Sequence, residues 1–314
     1  MKKILSIALI AVTTVMASPV FSGRFGVKYT YTYETGTITA GNRNYLYLSD
    51  SSDLWNLELQ TIDVEAGNDL LGDGGGYSGY ATINVSEGLK TLNVELPVSL
   101  DVSIGKTGQY ADFVYTDPNS KVGDYWDLGL TTKSNAPFAV SVGLNGWTAT
   151  VAAGIETDKQ AIGVDVTGTL FNGVMLEAAF STEDEFKLQA SALFDIGKIA
   201  DLDVTAKVSG FGFFDFSDSA NNKYIAAVNL GYKALSGSIE YRNIQVIGEN
   251  GLWAKASFKV NDMITLGGGV NVSDLANFGD TLGFNANDSI ELNGITTYIE
   301  ASNKAITTYT QFTF

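Results

Sequence analysis

The chain has 314 residues, with 19 Lys and Arg against 35 Asp and Glu, no His, no Cys and a formal charge of −16. Nucleic-acid binding draws on Lys and Arg for its phosphate contacts, so this acidic balance argues against it. The missing His and Cys exclude Ser-His and Cys-nucleophile catalysis, ordinary zinc sites, a disulfide scaffold and a lipid-modified N-terminal Cys.

Lys2 and Lys3 precede an uncharged stretch, residues 4–17, that ends in small residues. That layout predicts a secretory signal peptide over residues 1–22, cleaved before Gly23 or alternatively after Ala17. The remaining residues, 23–314, carry no Pro-rich linker or composition break and read as a single domain. No run of about 18 apolar residues follows the signal, which removes helical membrane spans. A membrane location would then require a closed barrel, because only helices and barrels satisfy every backbone group in hydrocarbon.

Period-two alternation begins at once, with Phe25, Val27, Tyr29, Tyr31 and Tyr33 on one face and Gly26, Lys28, Thr30, Thr32 and Glu34 on the other. Trp55, Leu57 and Leu59 continue it, and residues 67–76, GNDLLGDGGG, read as a loop. Asp69 and Asp73 hint at a calcium loop, but Leu71 and Tyr80 stand where oxygen ligands are needed, so no metal site is assigned. Residues 92–104, LNVELPVSLDVSI, alternate seven apolar side chains without a miss. Soluble strands average ~5–6 residues and tilted membrane strands need ~9–11, so this length predicts a membrane strand.

Downstream, Phe138 to Leu144 and Trp147 to Ile155 flank Asn145-Gly146, a hairpin signal, and Asn172-Gly173 joins Ile162–Leu170 to Val174–Phe180. Glu183-Asp184-Glu185 reads as a solvated loop tip. Further alternating rows cover 186–194, 202–208, 224–232, 252–260 and 264–272. Residues 36–50, 109–133, 236–247 and 289–300 are ambiguous, the last because the apolar phase slips near Gly294. The fold expected is all-β: a closed antiparallel transmembrane barrel of about 16 strands, with 14 to 18 open.

The chain ends KAITTYTQFTF, with Ile306, Thr308, Thr310, Phe312 and Phe314 on one face. This resembles the last strand of Gram-negative outer-membrane barrel proteins. The resemblance implies an outer-membrane location and contact with its lipid. It also implies that Phe312 and Phe314 form the signal read by the barrel-assembly machinery.

With the apolar rows facing lipid, the opposite rows line a lumen: Lys28, Glu34, Glu58, Glu95, Asp101, Asp165, Glu177, Lys187, Asp203, Lys207, Lys233, Lys255 and Lys259. Seven are acidic and six basic, so the excess negative charge lies in turns and loops and predicts only a mild cation preference. Glu95 and Asp101 would be ~20 Å apart along one strand, too far to act as a catalytic pair. No catalytic residue, cofactor or metal is expected.

A barrel of ~16–18 strands leaves an aqueous channel. The chain therefore resembles a general diffusion porin, passing small hydrophilic solutes and ions. That resemblance allows a homotrimer and an inward-folded loop, for which residues 105–124 and 273–288 are the candidates. The alternatives are a non-conducting surface barrel, an adhesin or structural protein acting through acidic loops, and a secreted soluble β-module.

Overall fold

Period-two sequence becomes strand along most of the computed structural model, which describes residues 20–62, 76–105, 138–156, 159–182, 186–244 and 248–313. The first six strands are β1 (Val20–Thr32), β2 (Thr37–Ser51), β3 (Trp55–Ile62), β4 (Gly76–Asn84), β5 (Ser99–Gly105) and β6 (Phe138–Leu144). Then come β7 (Trp147–Glu156), β8 (Lys159–Phe171), β9 (Val174–Ser181), β10 (Lys187–Asp195), β11 (Thr205–Asp215) and β12 (Lys223–Tyr232). The last six are β13 (Leu235–Ile244), β14 (Glu249–Lys259), β15 (Ile264–Val272), β16 (Leu282–Leu292), β17 (Ile295–Ser302) and β18 (Ala305–Thr313).

All pair antiparallel, each with its neighbours in sequence. The first strand also pairs with the last, from Arg24 opposite Thr313 to Thr32 opposite Ala305. Every described strand thus has two hydrogen-bonded neighbours. Eighteen strands among the described residues stand against the expected sixteen. The extra ones come from the ambiguous stretches: β2 and β13 occupy two of them, and the phase slip near Gly294 is a hairpin between β16 and β17.

Left-handed backbone marks the tight turns. Asn145 and Gly146 have φ of 52° and 79°, and Asn293 and Gly294 have 49° and 79°, the positive pair that a two-residue hairpin matched to strand twist requires. Asn172-Gly173 also turns the chain, with Gly173 at φ 83° and a register shift between Thr169 and Phe171. Lys233 takes the same conformation (φ 53°) without a sequence cue.

The unbroken alternation of residues 92–104 is not one strand. Asn84 caps a short helix, α1 (Val85–Lys90), by accepting a hydrogen bond from the Glu87 amide. Asn93 then turns left-handed (φ 60°), and only residues 99–105 enter the sheet as β5. Pro97, which has no N–H to give a ladder, lies in the stretch outside it. Leu202 and Val204, read as strand, sit instead in the connection after a second short helix, α2 (Ile196–Ile199).

The two sheet faces differ. On β12, Tyr224, Val228, Leu230 and Tyr232 are exposed while Ile225 and Ala227, one step out of phase, are buried. In a curled sheet the concave face is crowded and the convex face open. The convex face carries Val27, Val142, Val166, Leu230, Ile239, Leu266 and Ile299, all exposed. Aromatic groups gather near its rims: Tyr31 with Tyr33, and Phe186 between Phe180 and Phe216. Phe312 is on this face, opposite Phe25 and Ile295. Phe314 and residues 1–19 lie outside the described residues, whereas Val20–Ser22, within the predicted signal, pair with Tyr47–Ser49 as the start of β1.

Candidate functional site

The concave wall collects the polar residues of the strands. Lys28 stands opposite Tyr309, Asp101 opposite Ser141, Asp165 opposite Thr150, and Lys187 opposite Asp215. Glu58 takes a register position opposite Ser49 and Tyr80, in the same phase. Lys207 faces Asp195 and Asn229, and Lys255 faces Ser238 and Gly269. Lys259 closes β14 and pairs with Asp262 at 2.9 Å.

Four residues expected on this wall lie in connections instead. Glu34 is in the turn from β1 to β2, and Glu95 is in the irregular stretch that α1 and Pro97 force out of the sheet. Asp203 is in the connection before β11, and Lys233 is the turn residue before β13, its ammonium 4.9 Å from the Tyr232 ring centre. Alternation counted from the sequence ran past the strand ends, because side-chain phase alone carries no stop signal at these positions.

From β8 to β13 the wall is tightly packed. Glu177 is buried and accepts from Gln189 Nε2 at 2.8 Å and from Ser191 Oγ at 2.7 Å. Both partners are themselves buried, so the carboxylate is held by hydrogen bonds rather than by water. A second knot joins Glu240 to Arg242, both fully buried, in a direct ion pair. The Arg242 guanidinium also lies 4.6 Å from the Trp253 ring centre, a cation–π stack. Around these knots Phe211, Phe213, Ile225 and Leu193 are buried on the same face.

Gln189, Ser191, Glu240, Arg242 and Trp253 are not among the lumen residues expected from the sequence. Glu240 and Arg242 lie in an ambiguous stretch, yet their spacing of two around Tyr241 was a usable cue to one sheet face.

The wall from β14 to β18 and β1 is more open. Gly267, Gly269 and Gly283 leave it shallow, and Tyr298 stacks on Tyr309 at 6.1 Å. Among the described residues no group of three or more acidic, His or Cys side chains could hold a metal ion. Of the two loop candidates, 105–124 lies outside the described residues except for Gly105, and 273–288 forms a 3-10 turn, a short helix and the start of β16.

Outside the strands, two carboxylates are held below the ordinary carboxyl range. The Lys259 side chain does this for Asp262, through a hydrogen bond and its charge. Asp274 is held down by hydrogen bonds from the Asn277 side chain and the Ala276 amide.

No protein-family description and no curated protein sequence matches this chain. Solved structures do match in fold. A five-fold substituted porin of Rh. blastica superposes with a TM-score of 0.53 at 12% identity, covering 95% of this chain and 100% of its own. A triple variant, named as Rhodopseudomonas blastica porin, gives 0.53 at 11% over the same shares. So does a structure titled "Asymmetric conductivity of engineered proteins". The fold is therefore porin-like, an all-β antiparallel sheet of the outer-membrane barrel type.

Proposed function

We propose that this chain is an outer-membrane porin: a closed transmembrane barrel through which small hydrophilic solutes and ions diffuse passively. The observation that carries the reading is one ladder with two unlike faces, its first and last strands paired. A convex face of exposed Leu, Val, Ile and Phe suits acyl chains, while water would demand its burial. The concave face supplies Lys, Asp, Glu, Ser and Thr to an aqueous path. The porin-like fold of the Rh. blastica structures supports the same reading.

Export would use the N-terminal signal peptide. Because Val20–Ser22 are paired in β1, cleavage after Ala17 would keep three ladder positions that cleavage before Gly23 would remove. N-terminal sequencing of the exported protein distinguishes Ser18 from Gly23.

Glu34, Asp218, Asp274 and Asp280 stand in connections at the end of the sheet away from the chain termini. They would concentrate cations at that mouth, a preference screened within about 8 Å at physiological salt. The test is purified protein in a planar bilayer. Stepwise conductance with a reversal potential of cation sign in a salt gradient supports the channel, and an anion sign sinks the selectivity.

A second reading is a non-conducting surface barrel. The buried Phe211, Phe213 and Ile225 favour it, since these concave side chains are shielded from water. A folded but silent barrel in the same bilayer would establish that reading.

A further inference from the structure

We propose that a recess in the concave wall between β11 and β14 is an oxyanion subsite, binding a phosphate-class anion within an otherwise acidic protein. The site rests on the pore reading only in that its solute would arrive through the lumen. Nothing in its geometry depends on conduction.

The recess encloses about 320 Å³. Its floor is one continuous row of the sheet: Lys207 opposite Asn229, Asn229 opposite Ser238, and Ser238 opposite Lys255. Three inter-strand steps of about 4.8 Å place the two lysine backbones roughly 14 Å apart. Between them stand only short polar side chains. In the adjoining row toward the terminal end, Gly231, Ser236 and Ser257 keep the hollow open, with Ser236 and Ser257 joined through their hydroxyls at 2.7 Å. Two long cationic arms thus flank a shallow polar floor, a shape that fits an anion of phosphate size reached from both sides.

The polar accounting points the same way. Ser238 is more than nine-tenths buried, and its hydroxyl has no hydrogen-bond partner among the described residues, although it lines the recess. A buried hydroxyl left unmatched is costly, and a bound oxyanion would satisfy it. Lys255 makes no ion pair among the described residues. Among the described residues Lys207 has the carboxylate of Asp195 at 4.0 Å, a separation at the outer limit of an ion pair. The other nearby carboxylate, Glu240, is already engaged by Arg242. Among the described residues two ammonium groups thus share a single, loosely held acid, which leaves net positive charge over the hollow. Lysine ammonium and serine or amide donors are the groups that make charge-assisted hydrogen bonds to phosphate oxygens.

The test is equilibrium dialysis of radiolabelled inorganic phosphate against the full folded chain in detergent, with bilayer conductance recorded in parallel. Saturable retention near one phosphate per chain is expected. Lys207→Gln and Lys255→Gln should each weaken it about tenfold, and the double variant should abolish it. Lys187→Gln, on the same wall but outside the recess, should leave it unchanged. Asp195→Asn removes the competing charge while keeping a side-chain acceptor for the Lys198 amide, so retention should tighten several-fold and report on the site without removing a lysine. No retention by the folded native chain, or equal retention by the double variant, overturns the proposal. A conducting barrel without retention sinks the subsite alone, and a silent barrel with lysine-dependent retention sinks the pore alone.

Discussion

Tyr309 of β18 lies across Gly26 of β1, its ring occupying the space that a side chain at Gly26 would need. The same ring stacks on Tyr298 of β17. One aromatic thereby covers the only described ladder that joins the two ends of the chain. An added β carbon at Gly26 would displace a ring end, and a phenol can swing only by giving up its stack. Gly26→Ala is expected to cost about 1 kcal/mol, at the low end for overpacking. In a Tyr309→Ala background the same change should be close to neutral. Urea unfolding of the folded barrel measures both, and equal costs in the two backgrounds would show that the ring does not set the requirement for glycine.

Arg242 neutralises Glu240 in a position without water access. Arg242→Met should destabilise by about 3–5 kcal/mol, because it takes the cation away from a buried carboxylate. Adding Glu240→Gln to it should recover a large part of that loss. A double variant no more stable than the single would mean that lost packing on Trp253, not charge, sets the cost.

Asp288 breaks the apolar pattern of the convex face, where its register partners are Leu266 and Ile299. A carboxylate facing hydrocarbon is unfavourable, so Asp288→Leu should raise stability by about 1–2 kcal/mol in a lipid bilayer. Reversible unfolding from vesicles gives the value. A loss of stability would mean that this side chain meets a polar partner in the assembled protein.

Asp274 caps the 3-10 turn after β15, accepting from the Ala276 amide at 2.9 Å and from Asn277 Nδ2 at 2.6 Å. Its folded pKa lies below the ordinary 3.8, so the cap stabilises fully above that value and is lost as pH falls through the lower, folded one. The Ala276 amide resonance should therefore titrate with a midpoint under 3.8. Asp274→Asn should keep the turn and flatten the titration. A midpoint at or above 3.8 would remove the cap from the account.

Side-chain phase was legible from one sequence because it is a local property: Phe25 to Tyr31, Phe138 to Leu144 and Tyr224 to Tyr232 each carry their own alternation and keep it in the sheet. The Asn-Gly turns were legible for a similar reason, since the demand for left-handed backbone is met within two residues. Strand ends were not. Residues 92–98 alternate perfectly and still leave the ladder, because Asn84 capping α1 and the left-handed Asn93 act against a pattern that the apolar positions alone support.

The amino-acid order by itself thus determined an all-β chain with one oily face and one polar face, since alternate residues of an extended chain must point to opposite sides. Only the tertiary structure decided which polar residues share a wall. Glu177 meets Gln189 and Ser191, and Lys207 and Lys255 flank Asn229 and Ser238, through register between strands. Register is a long-range property, set by turns and by the pairing of β1 with β18, which are far apart along the chain.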